Sequence, residues 1–365
     1  MSEQAYAGEN YRFERITLMR VLVVKLTSMG DVLHLMPALS DLRAAHPLAT
    51  VDWMVEDSFA ELPHWHPSVD KVIKVSTRHW RKFDRRNVGE FFAFLTDLRR
   101  QRYDYIIDAQ GLMKSAVFAR FAKLNKGGTR VGFSGDSIKE APAAYLYQKK
   151  ISALRSLHAI DRLRILFSAG FDYTANSQKV DYGLQINAVG GKNRRTIFLL
   201  HGTTWASKHL PDQIWRDLTQ LITKDGYHVK LCWGNQQERQ RAQWIAQASN
   251  QVTILPKLSL SELAVELATA KGSIAVDTGL GHMAAALSVP TVSIYGSTNA
   301  KLTGTVGLNQ IQLQSDYHCS PCLLKKCDKL NDKIDQPPCY AAISPDTIWK
   351  KLCDQFVEST DKLGV

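Results

Sequence analysis

The chain has 365 residues, 45% hydrophobic and 22% charged, an ordinary soluble composition whose length suits two domains, and it carries no internal repeat or low-complexity tract. Its formal net charge of +11 and pI near 9.3 point to acidic partners: phosphate groups, an anionic membrane surface or nucleic acid. The first twenty residues mix acids and bases without an apolar segment, and the longest apolar stretch, Ser273 to Tyr295, is broken by Asp277, His282 and Pro290. A secretory signal and a bilayer-crossing helix of roughly 20 apolar residues are thereby excluded, and a cytoplasmic location is expected, with at most a peripheral hold on a membrane.

In chain order, RVLVVKL (Arg20 to Leu26) reads as a strand and DVLHLMPALSDLRAAHP as the helix after it, stopped by Pro47. TVDWMV, DKVIKVS and YDYIIDAQ follow as strands, with FFAFLTDLRRQR and KSAVFARFAKL as helices around the last of them. This alternation predicts a parallel sheet covered on both faces. The pattern fades in the polar stretch from Phe171 to Arg195 and resumes with TIFLLHG, PDQIWRDLTQLITKDG, YHVKLCWG, QQERQRAQWIAQASN, VTILP, SLSELAVELATAKG, SIAVDTG, HMAAALS and TVSIYG. The expected organisation is an N-terminal extension (1–18), a first α/β domain (19–180), a linker (181–195) and a second α/β domain (196–344). The last helix, PDTIWKKLCDQFVEST, is expected to pack back across the first domain. Two such domains face each other across a cleft at the carboxyl ends of their strands, so chemistry belongs in the strand-to-helix turns.

Three turns qualify. LTSMGD brings Asp31 to a helix N-terminus, where it is either a first-turn cap or a general base. A carboxylate is a weak base, suited to a proton that leaves late, as when a hydroxyl attacks an oxocarbenium-like sugar carbon. HGTTWASKHLP offers Thr203, Thr204 and Lys208 just before a helix, the equipment for a phosphate unless Lys208 is merely a solvated loop residue. AVDTGLGHMAAAL offers Asp277, Thr278, Gly279, Gly281 and His282 before a small-residue helix, with His282 either structural or functional.

Gly279, Gly281 and Ala284 fit G-x-G-x-x-A, but strand TVSIYG ends in Gly296 and not in the acid that would hold a ribose, and no P-loop motif occurs. Asp-x-Asp is absent too, which leaves Lys208 and two helix N-termini to carry a leaving group's charge. Ten Lys and Arg lie between Lys71 and Arg102 against Asp84, Glu90 and Asp97. Either this is a solvated face or, with Arg78, Arg81 and Lys82 following a strand, it receives an anionic substrate. Cys319, Cys322, Cys327 and Cys339 are separated by two, four and eleven residues, compatible with a structural zinc, disulfides or free thiols.

VVKLTSMGDVLHLMPALSDL, VDWMVEDSFAELPHWHPSVDKVIKV, RHWRK, IDAQGLMKSA, TTWASKHLP, CWG followed by Glu238, LPKLSL and VDTGLGHMAAAL together resemble the bacterial lipopolysaccharide heptosyltransferases of glycosyltransferase family 9, within them the heptosyltransferase I group. The resemblance runs from about Arg20 to the last helix. It implies a GT-B fold of two Rossmann-like domains and metal-independent, inverting transfer of L-glycero-D-manno-heptose from an ADP-sugar to the Kdo sugar of Kdo-lipid A. Carried over by motif, Asp31 is the general base. Thr203, Thr204 and Lys208 are the diphosphate site, and Glu238, Leu258, Asp277, Thr278, Gly279 and His282 complete donor binding. Ser28, Gly30, Arg78, Arg81, Lys82, Gln110 and Lys114 fall on the acceptor side. No cofactor is implied for the reaction. The implied partners are an ADP-sugar, Kdo-lipid A and the cytoplasmic face of the inner membrane, without nucleic acid.

Two competing readings remain. One keeps the fold and uses a different nucleotide sugar on the same core, because sugar choice rests on a few hydroxyl contacts. The other is a basic nucleic-acid-binding protein with a zinc module, which leaves the three turns unexplained.

Overall fold

In the computed structural model the described residues are 18–80, 85–175, 179–186, 193–331 and 336–361. The first unit contains strands β1 (Arg20–Val24), β2 (Thr50–Glu56), β3 (Val69–Val75), β4 (Arg102–Asp108), β5 (Lys123–Phe133) and β6 (Lys149–Ile151), in the order β3-β2-β1-β4-β5-β6. Its helices are α1 (Met29–Ala45), α2 (Glu61–His64), α3 (Thr77–Trp80), α4 (Arg85–Leu98), α5 (Met113–Phe121) and α6 (Ala159–Gly170). The second unit repeats the plan with β7 (Asn193–Leu200), β8 (His228–Leu231), β9 (Val252–Ile254), β10 (Ala270–Val276), β11 (Thr291–Tyr295) and β12 (Gln310–Gln314), ordered β12-β11-β10-β7-β8-β9. Around it lie α7 (Asp212–Lys224), α8 (Gln236–Ala246), α9 (Leu260–Ala268), α10 (Gly279–Ala286), α11 (Ala300–Thr303) and α12 (Pro345–Asp361). The strand pairings in both sheets are parallel. This is the two-domain α/β architecture expected from the alternation.

Burial on both faces explains the unbroken apolar strands. In β1, Val21 and Val23 enter one core while Leu22 and Val24 enter the other. In β7, Phe198 and Leu200 belong to the core that holds Val21 and Val23, whereas Ile197 and Leu199 belong to a third. One apolar core therefore continues through both units.

The strand order reverses between β1 and β4 in the first sheet and between β7 and β10 in the second. Loops diverge there and open a crevice at the carboxyl edge. The turn after β1 carries Asp31, and those after β7 and β10 carry Lys208 and Asp277, so the sequence motifs occupy both crevices.

Two expectations are corrected. Asn193, Arg194 and Arg195 are the first residues of β7, not linker, with Asn193 in register with Ala270 across an irregularity. Moreover, the described side chains of α12 pack on the second unit and not on the first. Ile348, Trp349, Leu352 and Phe356 fill the second unit's core beside Trp215 and Ile222, and the Trp349 indole donates to Asp225 at 2.6 Å. Their spacing forms one apolar helical stripe, and the open face of the second sheet is the surface it covers. Among the described residues no helix is long and apolar enough to cross a membrane.

Candidate active site

Helix α1 begins at the turn Leu26 to Ser28, whose backbone is held from β4: the amides of Leu26 and Thr27 donate to Gln110 Oε1 at 3.0 and 3.2 Å. Gln110, expected on the acceptor side, thus acts within the protein as the brace of this turn. Asp31 sits at the third helical position and its Oδ2 accepts from both the amide and the hydroxyl of Ser28, each at 2.8 Å. Asp31 is thereby part of the cap of α1. Oδ2 is engaged, whereas Oδ1 lies 3.8 Å from Lys25 Nζ on a side chain that is 42% exposed.

Lys25 was not singled out by sequence, although a lysine ending an apolar strand is a signal. Its ammonium is buried, donates to the carbonyl of Ala109 at 3.2 Å, and titrates below the usual lysine range because burial outweighs the attraction of Asp31 and Asp108. Asp108, at the end of β4, accepts from Tyr147, Ser115 and the amides of Gln110 and Gly111, and burial raises it above the usual carboxylate range.

On the other side of the cleft, Lys208 Nζ lies 2.7 Å from Asp277 Oδ2, which also accepts from the Thr298 hydroxyl at 2.6 Å. Thr203 donates to the Asp277 carbonyl at 3.0 Å, so the turns after β7 and β10 are bonded to each other. The Trp205 ring lies 4.5 Å from the same ammonium. Thr204 is exposed, and Thr278 is the N-cap of α10. Glu238, in the first turn of α8, accepts from the Gly234 amide at 2.7 Å and lies against Gly202 at the end of β7. Leu258 is half-buried against the core.

The two sides meet where α1 packs on α10. A side-chain carbon on Gly30 would stand 2.6 Å from the His282 ring, and one on Gly279 would stand 2.6 Å from Met29 Sδ. The missing carbons let the helix N-termini abut. Gly279, read from sequence as a place for a phosphate to approach, is in this structure a place for Met29.

Behind them His34 Nε2 lies 3.2 Å from His282 Nδ1, and His282 Nε2 lies 3.9 Å from Asp277 Oδ1. His158 stacks edge-on against His34 at 5.5 Å and pairs with the Gly304 carbonyl at 3.0 Å. Sequence reasoning found His282 but missed His34, whose only signal was a polar residue on the buried side of α1.

Burial lowers His34, His282 and His158 below the ordinary imidazole range and pushes His201, beneath the Lys208 turn, to about 3. These rings fold neutral, so below the ordinary value of 6.5 the unfolded chain binds more protons than the folded one. Their stabilisation is complete above that value and is lost as pH falls, by up to about 1.4 kcal/mol per pH unit for each ring. Urea unfolding should therefore give a nearly constant stability from pH about 8 to about 7 and a steep decline below about 6.5. A flat profile down to pH about 5 would contradict the neutral cluster.

Elsewhere in the first unit, Lys114 Nζ is 3.2 Å from the Thr77 hydroxyl, which donates to buried Glu56 at 2.7 Å. Arg78 is exposed beside them, its amide turned to Glu56. Arg81 and Lys82 lie outside the described residues. Cys319, Cys322, Cys327 and Cys339 line one small cavity beside Ser207 and Ser297. All four are free thiols, with Cys339 pushed up to about 11 by burial and by its three neighbours. Among the described residues no group of three His, Cys, Asp or Glu side chains is placed to hold a metal ion, and of the three alternatives left open for these cysteines the structure shows free thiols.

Residues 91–332 match the family described as Glycosyltransferase family 9 (heptosyltransferase). The chain is 42% identical to lipopolysaccharide heptosyltransferase 1 of Pseudomonas aeruginosa over 348 residues, covering 92% of this chain and 97% of that one. It is 40% identical to the Escherichia coli K12 protein of the same name, covering 80% and 92%. Its fold superposes on E. coli heptosyltransferase WaaC with ADP at a TM-score of 0.80 and 34% identity, covering 92% of this chain and all of that one. WaaC with ADP-2-deoxy-2-fluoro heptose gives 0.74 at 38% identity, covering 81% and 93%. The chain belongs to glycosyltransferase family 9, the heptosyltransferases.

Proposed function

We propose that the protein transfers L-glycero-D-manno-heptose from ADP-heptose to the Kdo of Kdo-lipid A, with inversion and without a metal ion, in building the lipopolysaccharide inner core. The observation that carries this reading is the meeting of Asp31 and the Lys208–Asp277 turns in one cleft, at the reversal points of two sheets. Two structures of one relative, WaaC with ADP and with ADP-2-deoxy-2-fluoro heptose, support the donor.

In this mechanism Lys208, Thr203, Thr204 and the N-terminus of α10 hold the diphosphate and take up its growing charge. Glu238 and Leu258 sit beside the nucleoside. Asp31 Oδ1 accepts the proton of the attacking Kdo hydroxyl as the sugar carbon is approached from the face opposite ADP. Ser28 keeps the other oxygen occupied and so fixes the carboxylate's direction. Arg78, Arg81, Lys82 and Lys114 receive the carboxylates and phosphates of an acceptor met at the cytoplasmic face of the inner membrane.

Mass spectrometry of Kdo-lipid A after incubation with ADP-heptose and a chelator tests donor, acceptor and metal independence together. The expected product carries one added heptose. No product from folded protein, with an active control enzyme alongside, would overturn the reading in favour of another donor sugar.

A further inference from the structure

Helices α4 and α5 lie side by side over the first sheet. Their inner faces are occupied: Phe91, Phe94 and Phe118 pack with Trp80 at ring separations of 5.0 to 6.5 Å, and Leu95 and Leu98 are buried below. Their outer faces are apolar too. Val88 and Phe92 are one turn apart on α4 and 42% and 61% exposed, while Met113, Val117 and Phe121 form a stripe along α5 at 37 to 39%. Isolated exposed apolar residues are ordinary, but five on adjacent helices at helical spacing make a surface whose solvation is unfavourable.

The segment that carries this surface is net basic, although on α4 itself Glu90 pairs with Arg86 and Asp97 with Arg100. From Thr77 to Lys126 the chain has twelve Lys and Arg against five Asp and Glu, a net +7 of the protein's +11. Arg99 donates to the carbonyl of Phe121 at 3.0 Å, and exposed Arg120 adjoins it, so cations frame the end of the stripe. An apolar stripe on a net basic segment, with Arg99 and Arg120 at its end, matches the boundary between acyl chains and anionic headgroups. The other end of α5 begins at Met113, next to Lys114, whose ammonium reaches Thr77 at the acceptor side of the cleft.

We propose that the outer faces of α4 and α5 are the surface by which this protein seats on an anionic phospholipid bilayer, with the acceptor side of the cleft at the bilayer's edge. The inference deepens the reading of a lipid-borne acceptor and rests on it for its purpose. The test therefore separates the two.

Wild-type protein and the variant Phe92→Ser/Val117→Ser/Phe121→Ser are sedimented with phosphatidylglycerol–phosphatidylethanolamine vesicles and with phosphatidylcholine vesicles, all free of acceptor. The wild type should bind the anionic vesicles, release with added salt, and leave the neutral ones unbound. The variant should lose about tenfold or more in binding, since each buried apolar side chain contributes several-fold. Both should glycosylate a deacylated, water-soluble Kdo acceptor at equal rates, and only the wild type should be fast on vesicle-borne acceptor. Phe92→Ser alone carries the test with a several-fold loss if the triple variant does not fold. Failure of the wild type to bind anionic vesicles, equal binding by the variant, or a wild-type dimer that the variant abolishes would overturn the proposal. Vesicle binding without transfer to the soluble acceptor would uphold the surface and sink the catalytic reading.

Discussion

Replacing Asp31 by Asn should reduce turnover by about 10² to 10⁴, the span expected for loss of a general base. Asparagine is the informative choice. Its amide oxygen can still accept from the Ser28 amide and hydroxyl, so the start of α1 stays capped and only the basicity goes. Asp31→Ala removes both and adds about 1 kcal/mol of lost capping. Equal rate losses in the two variants, with the affinity for ADP within about twofold of wild type, are expected from a base in transition-state contact. Near-normal turnover in Asp31→Asn would leave Asp31 as a helix cap and nothing more.

The second large effect is expected at Lys208. In Lys208→Ala the ammonium that lies 2.7 Å from Asp277 is gone, and the carboxylate keeps the Thr298 hydroxyl and, 3.9 Å away, the His282 ring in a buried setting. Two consequences follow from the chemistry: the diphosphate loses a charge-assisted donor, and Asp277 becomes an uncompensated anion facing it. Together they should lower kcat/KM for the ADP-sugar by about 10² or more. The double variant Lys208→Ala/Asp277→Asn distinguishes them, because it removes the anion as well. If Lys208 contacts the diphosphate, calorimetric ADP affinity stays low in the double variant. Recovery to the wild-type value would mean that Lys208 only neutralises Asp277, and the phosphate assignment would fail.

Strand RVLVV, buried on both faces, and the small-residue turns that follow the strands were legible because their residue types are demanded locally, by a parallel sheet and by tight strand-to-helix connections. Strand β12, QIQLQ, was not read as a strand because an edge strand needs few apolar residues and its Gln side chains are spent on backbone carbonyls and the Ala300 amide. The partner of α12 was misjudged for a different reason. An apolar stripe records that a face is covered, but the identity of the cover depends on which sheet has an open flank. Asp31, Lys208 and His282 could be named from their turns, whereas Gln110 and His34 act across 84 and 248 residues of chain, through contacts that no local spacing announces.

The core that runs through both units has a calorimetric consequence. Separating the halves would wet Met29, Leu280 and the buried imidazoles between α1 and α10. Exposure of apolar surface raises heat capacity, so an opened enzyme holds more of it than a closed one. Any ligand that draws the halves together should then bind with a negative heat-capacity change larger than its own apolar surface accounts for. Product departure inherits the reverse. Opening costs less on cooling as the hydrophobic contribution weakens, and the interface between the halves becomes a thermometer for the enzyme's own release step.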